Sequence, residues 1–269
     1  MRVLPDKFFA ATIAVGPLPG SPRYAGSSRA VINTAISNLE QYVDHGAEVI
    51  VLENSHDLPY IKPPLDPHGV ALMKRIAREA RKRFKGPVGI QLLEAANESA
   101  LEIACEADLD FLRVEGYVFA HIGGAGLIEG CAGRLLRKRV SLGCKHVKIF
   151  ADVKKKHCAH ALTGDLDITD VVKQAEFFLV DAVIVTGPRT AEPPEFTELR
   201  RVKKIANVPV YIGSGMNPRN IARFMPWADG FIVGSTLRED GKFLGRLDPR
   251  RLRAFATAFH EARDHEWHS

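Results

Sequence analysis

Cysteine is scarce in this 269-residue chain: Cys105, Cys131, Cys144 and Cys158 are the four, and none belongs to a CxxC pair. Each falls in an ordinary strand or helix context, which points to a reducing compartment. Long apolar runs are missing as well. None approaches the roughly 18 residues of a membrane span. Phe8–Val15 runs straight into a proline–glycine loop, as a buried first strand would and a signal peptide would not. The cytoplasm is the expected location, with an organelle address left open. There is no GxSxG elbow, HExxH pair, Walker A loop or Rossmann fingerprint. That argues against serine hydrolases, zincins, kinase-like and dinucleotide enzymes, and it leaves the cofactor unknown. No linker or low-complexity stretch divides residues 1–269, so one domain is expected, with 263–269 as a frayed tail.

What is present is an ordinary core and a modest positive balance. Hydrophobic residues make up 46% of the chain, and Lys plus Arg exceed Asp plus Glu by 37 − 32 = 5. That excess suits an anionic ligand. The basic clusters (Arg78, Arg81, Lys82, Arg83; Arg134, Arg137, Lys138, Arg139) lack interleaved aromatics, so they read as solvated helix faces rather than a nucleic-acid groove.

Apolar β-type runs alternate with helical patterns eight times. The expected strands are Phe8–Val15, Glu48–Leu52, Val88–Leu93, Asp110–Val114, His146–Ala151, Ala182–Val185, Val208–Ile212 and Gly230–Val233. The expected helices are Arg29–His45, His68–Phe84, Asn97–Ala107, one around Leu127–Leu142, Thr169–Phe178, Pro194–Ile205, Asn217–Phe224 and Asp248–His260. Thr169 is the expected N-cap of the fifth. Strict alternation with continuously apolar strands predicts an α/β fold, a single closed (β/α)8 TIM barrel with helices outside.

The most informative stretch is Val208–Leu237. It reads as strand, Gly213-Ser214-Gly215, short helix, strand, Gly234-Ser235-Thr236. Glycine permits close approach, and N–H groups at such turns and at a helix start can converge on an anion. The turns after the seventh and eighth barrel strands commonly form such a phosphate site.

Reacting groups of a barrel gather at the C-terminal ends of its strands. Those positions hold Glu53 and Asn54, Gln91 and Glu94, Arg113 and Glu115, Asp152 with Lys154 and His157, and Thr186 with Gly187. Glu53 is the leading general base or metal ligand, with a structural ion pair to Arg113 as the alternative. Asp152 could orient a substrate hydroxyl, hold His157 or cap its loop. In Lys154–His160, KKKHCAH, the adjacent lysines oppose a metal, so a phosphate-facing loop led by Lys154 is preferred and no metal is assigned. His260, His265 and His268 read as surface residues.

Several segments together resemble the BtpA/SgcQ family of barrel proteins. They are PLPGSPRY at Pro17–Tyr24, VIVLENSHDLPY at Val49–Tyr60, GLIEGCAGRLLRKRVSLG at Gly126–Gly143, ADVKKKH at Ala151–His157, DAVIVTG at Asp181–Gly187 and the closing GSGMNPRNI…ADGFIVGSTLREDGKF. The resemblance implies a ribulose-phosphate-binding-like barrel. It also implies a function lying between a nucleosidase-like or phosphosugar-type enzyme and a factor for photosystem I biogenesis. The family often carries histidine where Ala14 ends strand one, Asn and Arg where Gln91 and Glu94 stand, and TDQG where His121-Ile122-Gly123-Gly124 stands. These departures fall on the mouth.

The leading expectation is therefore a phosphorylated sugar or nucleoside-type ligand on Gly213, Ser214, Gly215, Gly234 and Ser235, with Asn54, Gln91, Lys154, Thr186 and Gly187 around it. Glu53, Asp152, His157 and Arg113 would act on it as acid–base, hydrogen-bonding and electrostatic groups. The rival expectation is a non-enzymatic assembly or stability factor for a membrane-associated complex, with an exposed apolar patch for its partner. Association into a homo-oligomer is compatible with either.

Overall fold

The computed structural model describes residues 2–189 and 191–267. Strands β1 (Phe8–Ala14), β2 (Val49–Glu53), β3 (Val88–Gln91), β4 (Phe111–Val114), β7 (Lys148–Val153), β8 (Ala182–Val185), β9 (Val210–Ile212) and β10 (Gly230–Val233) close into a parallel barrel. Outside it lie α1 (Ser28–Asp44), α2 (Pro67–Arg83), α3 (Asn97–Glu106), α4 (Ala132–Ser141), α5 (Ile168–Phe177), α6 (Phe196–Ile205), α7 (Ile221–Phe224) and α8 (Pro249–Trp267). The fold is the expected TIM barrel.

Period-two alternation sorts each strand between two cores. In β1, Phe9, Ala11 and Ile13 face the helices, while Phe8 and Ala10 face the barrel interior and Thr12 and Ala14 reach the mouth. The interior floor is aromatic. Phe111 stacks on Phe150 with centroids 4.6 Å apart, and Tyr211 meets Phe150 and Phe8 edge-on at 5.0 and 5.2 Å. Gly89 is required beneath this layer, because a Cβ there would lie 2.1 Å from the Phe111 ring.

The opposite rim carries a recurring device. Asp110, Asp181 and Asp229 each stand just before a strand and accept the N–H of a residue opening the neighbouring strand. The pairs are Val88 at 2.9 Å, Ile149 at 2.9 Å and Val210 at 2.8 Å. Each aspartate is also held by a basic side chain: Arg81 and Arg2 on Asp110, Arg139 and Lys148 on Asp181, Lys203 on Asp229. Charge-assisted acceptors of this kind fix strand stagger from below.

Several expectations need correction. The segment expected to lead into the fourth helix forms a hairpin, β5 (His121–Gly123) with β6 (Gly126–Ile128), and the helix starts at Ala132. Gly126, with φ at +102°, suits the turn, and Ile122 bridges Ala159, so the hairpin lies against the loop after β7. Asp167, not Thr169, caps α5, in a reciprocal capping box with Asp170. The helix expected from Asn217 shrinks to the four residues of α7, because Asn217 and Asn220 bond each other's neighbourhood in a turn first. Residues 263–267 are helical rather than frayed, with Arg263 paired to Glu48 at 2.8 Å; His268 lies outside the described residues. Cys105 and Cys144 are disulfide-bonded across α3 and the end of α4, a pairing that the expectation of a reducing compartment did not anticipate. No described helix is long and apolar enough to cross a membrane.

Asp110 is the most buried of the three anchors, and its loss leaves Arg81 and the Val88 N–H without their partner. Asp110→Ala should cost about 3 kcal/mol in urea unfolding. Asp229→Ala, at a more exposed site, should cost about 1 kcal/mol.

Candidate functional site

The C-terminal ends of the strands surround a cavity of about 400 Å³, the size of a small-ligand site. Glu53, Gln91 and Arg113 enter from β2, β3 and β4, Lys155, Lys156 and His157 from the loop after β7, and the two glycine turns from β9 and β10.

Arg113 ties three strands together. Its Nε and Nη2 donate to Asp152 Oδ2 and Oδ1, both at 3.1 Å, and its Nη1 donates to Glu53 Oε1 at 3.1 Å. Burial alone would lower the guanidinium pKa, but Asp152 and Glu53 overcome it and the net shift is upward. The fork stays charged. The ion-pair alternative for Glu53 is thus realised, while Glu53 still faces the cavity. Asp152 does not line it: its side chain is fully buried behind Arg113. Its place is to hold the guanidinium, not to reach a ligand.

Other expected positions divide. Gln91 lines the cavity with its amide on Glu115 Oε1 at 3.0 Å, and His157 lines it too. Asn54 is committed elsewhere, clamping Leu93 through both N–H and C=O at 2.7 and 3.1 Å. Thr186 and Gly187 lie outside the cavity wall, and Gly187 packs on the Glu192 carbonyl. Lys154 also turns away. The chain reverses there with φ at +44°, and Nζ donates to Leu166 O at 2.6 Å. Its two successors take the mouth instead. Lys155 sits 2.6 Å from Glu115 and 3.3 Å from Glu94. Despite burial, those carboxylates hold its pKa up.

The two turns play different parts. Gly213 N–H closes on Val185 O at 2.9 Å, and the Ser214 hydroxyl donates to Glu192 O at 3.2 Å. Gly215 has φ at +80°, and a Cβ there would lie 2.1 Å from Pro193 N. Its glycine is needed by the packing of the loop after β8. Gly234 is different, since a Cβ would meet nothing nearer than Thr12 at 3.6 Å. Among the described residues, the N–H groups of Ser214, Gly215, Gly234 and Ser235 reach no acceptor. α7 is too short and too far along the chain to add a helix dipole.

Arg238 was not anticipated. It is 3% exposed and lines the cavity beside Gly234–Thr236. Nη1 donates to Gly245 O at 3.0 Å, whereas Nη2 is buried with no partner and no carboxylate pairs with it among the described residues. The signal in the sequence was an arginine just after the second glycine turn, inside GSTLREDGKF.

The sequence profile of the BtpA family matches residues 6–261. The chain belongs to the BtpA family. It is 39% identical over 248 residues to an uncharacterized mitochondrial protein of Caenorhabditis elegans, covering 90% of this chain and 89% of that one. It is 36% identical over 248 residues to the photosystem I biogenesis protein BtpA of Synechocystis, covering 91% and 85%. Among solved structures, N-(5'-phosphoribosyl)anthranilate isomerase from Pyrococcus furiosus superposes with a TM-score of 0.56 at 12% identity, over 95% of this chain and 99% of that one. That likeness speaks for the barrel alone. Of the positions expected to differ from related chains, Ala14, Gln91, Glu94 and Gly124 all line the cavity, and His121 lies beside a smaller neighbouring pocket. Among the described residues no group of three or more His, Cys, Asp or Glu is placed to hold a metal.

Removing Arg113 strands two carboxylates at one buried point. Arg113→Met should destabilise the fold by about 3–5 kcal/mol by chemical denaturation at pH 7. Its stability should rise again on acidification, because a carboxylate forced to keep its proton in the folded state stabilises below, not above, its unfolded pKa. Parallel losses for wild type and variant as pH falls would contradict this.

Proposed function

We propose that this chain binds a phosphorylated sugar or nucleoside-type ligand at the barrel mouth and acts on it as an enzyme. The observation that carries the reading is Arg238. A buried guanidinium with an idle donor and no carboxylate is costly to keep, and a bound oxyanion offsets that cost. The unengaged N–H groups at Gly234 and Ser235 adjoin it, so side-chain charge and main-chain donors address one corner. The P. furiosus isomerase, whose name carries a phosphoribosyl group, shares the barrel. Glu53 would supply the acid–base group, Arg113 charge stabilisation and His157 a hydrogen bond, while Asp152 would orient Arg113 from behind.

The test is thermal unfolding with ribose 5-phosphate against ribose. A site occupied at a hundredfold over Kd gains about 2.7 kcal/mol, roughly 5–10 °C for a chain of this size. Arg238→Met should keep or raise the unliganded Tm and lose most of that shift. Ser235→Asp should lose it too, while leaving the fold intact, since Ser235 is only half-buried, on the cavity wall. Gly215 is a poor control, because its Cβ position is already occupied by backbone. Equal shifts in wild type and both variants would overturn the reading.

A second reading, a non-enzymatic assembly factor, is favoured by one observation. Leu136, Val140, Phe177, Phe178 and Leu179 form an apolar patch on α4 and α5, with Phe177 79% and Leu179 70% exposed. Patches of this kind mark contact surfaces. On this reading Phe177→Glu with Leu179→Glu abolishes co-sedimentation with the membrane-associated complex and leaves the ribose 5-phosphate response unchanged. On the enzymatic reading the double variant keeps full turnover.

A further inference from the structure

Three adjacent lysines follow β7, and two of them are committed. Lys154 is bound to Leu166 O, and Lys155 to Glu115 and Glu94. Lys156 makes no hydrogen bond or ion pair to another described residue, yet it lines the cavity, half-buried, together with Glu53, Arg113 and both glycine turns. A surface lysine would reach into water. This one is spent on the wall of a pocket.

We propose that Lys156 is a nucleophilic amine that condenses with the open-chain carbonyl of a phosphorylated aldose or ketose held in this cavity. The proposal rests on the phosphate reading above, which supplies the anchor for the other end of the same molecule. The chemistry balances without an oxidant or reductant. The free amine of Lys156 attacks the carbonyl carbon, and the C=O π pair moves to oxygen, which takes a proton. The nitrogen loses a proton to Glu53, whose Oε1 is occupied by Arg113 but whose Oε2 accepts no hydrogen bond from a described residue. The resulting hydroxyl takes that proton back from Glu53 and departs as water, while the nitrogen keeps its second hydrogen, leaving a protonated C=N. Amine, carbonyl and the one solvent proton taken up by the oxygen have become protonated imine plus water. An imine acidifies the adjacent carbon, so the reaction class is isomerisation or carbon–carbon bond cleavage of a sugar phosphate.

The charge surroundings suit the task. The charges acting on Lys156 are Arg113 from β4 and Glu53 from β2, Asp152 from β7 behind Arg113, and Lys155 and His157 on its own loop. Burial, then Arg113, lower its pKa to about 8 against the opposing pull of Asp152 and Glu53. At pH 7 roughly a tenth of such a lysine is free amine, against about 0.03% for an ordinary one. Lysines desolvated beside another cation are the ones that form such adducts.

The experiment uses the full chain with ribose 5-phosphate or dihydroxyacetone phosphate, sodium borohydride, and peptide mapping by mass spectrometry. A reduced adduct on Lys156 is expected, with yield rising through a midpoint near pH 8. It should fall at least tenfold in Lys156→Arg, and Lys156→Met serves should that variant misfold. Adducts confined to other lysines, or none with either probe, overturn the proposal. Thermal shifts read on the same samples separate the two inferences. Stabilisation that needs Arg238 without a Lys156 adduct sinks the amine and leaves the phosphate corner standing. Neither stabilisation nor adduct sinks both.

Discussion

The mouth of this barrel depends on one guanidinium. Arg113 rises from β4 directly above the aromatic layer of Phe111, Phe150 and Tyr211, and it binds carboxylates from β2 and β7 at once. Three strands separated widely in the chain are thereby pinned at their upper ends by a planar fork that only arginine provides. Because the fork is buried with each of its nitrogens on a carboxylate, Glu53 is held at a fixed angle to the cavity, and positive potential reaches Lys156. The geometry of the candidate chemistry is inherited from a structural ion pair.

The architecture was legible from the sequence because it is written in periodicity. Ala182–Val185 and Gly230–Val233 came out at their exact bounds, and alternation in Phe8–Ala14 explains which side chains face the interior. Local pattern failed where tertiary contacts decide. The hairpin at 121–128 has two very short strands that gain support from Ala159, distant in sequence. Asp167 outcompeted Thr169 as a cap because, while its carboxylate accepts the Thr169 N–H, its own N–H is accepted by Asp170. The Cys105–Cys144 pair joins α3 to the loop after α4, an adjacency no spacing rule reveals.

The site was legible by strand end but not by residue. Reading the positions after each strand located Glu53, Gln91, Arg113 and both glycine turns around one cavity. It could not tell which of three successive lysines enters, since that turns on the backbone reversal at Lys154. Nor could it separate a glycine whose Cβ position is filled by a neighbouring loop from one that stands in open space. Gly215 serves the contact with Pro193, whereas Gly234 has room to spare. Asn54 illustrates the same ambiguity, a polar residue at a strand end whose amide is used up in supporting Leu93.

The three aspartates at the lower rim have a consequence for how such chains diversify. They secure strand order at the end of the ring farthest from the cavity, and each works with a local basic partner rather than with anything at the mouth. Ala14, Gln91 and Glu94 line the cavity at the other end, so substitutions there leave the fastening untouched. The upper face can therefore change residue by residue while the lower end keeps the ring closed.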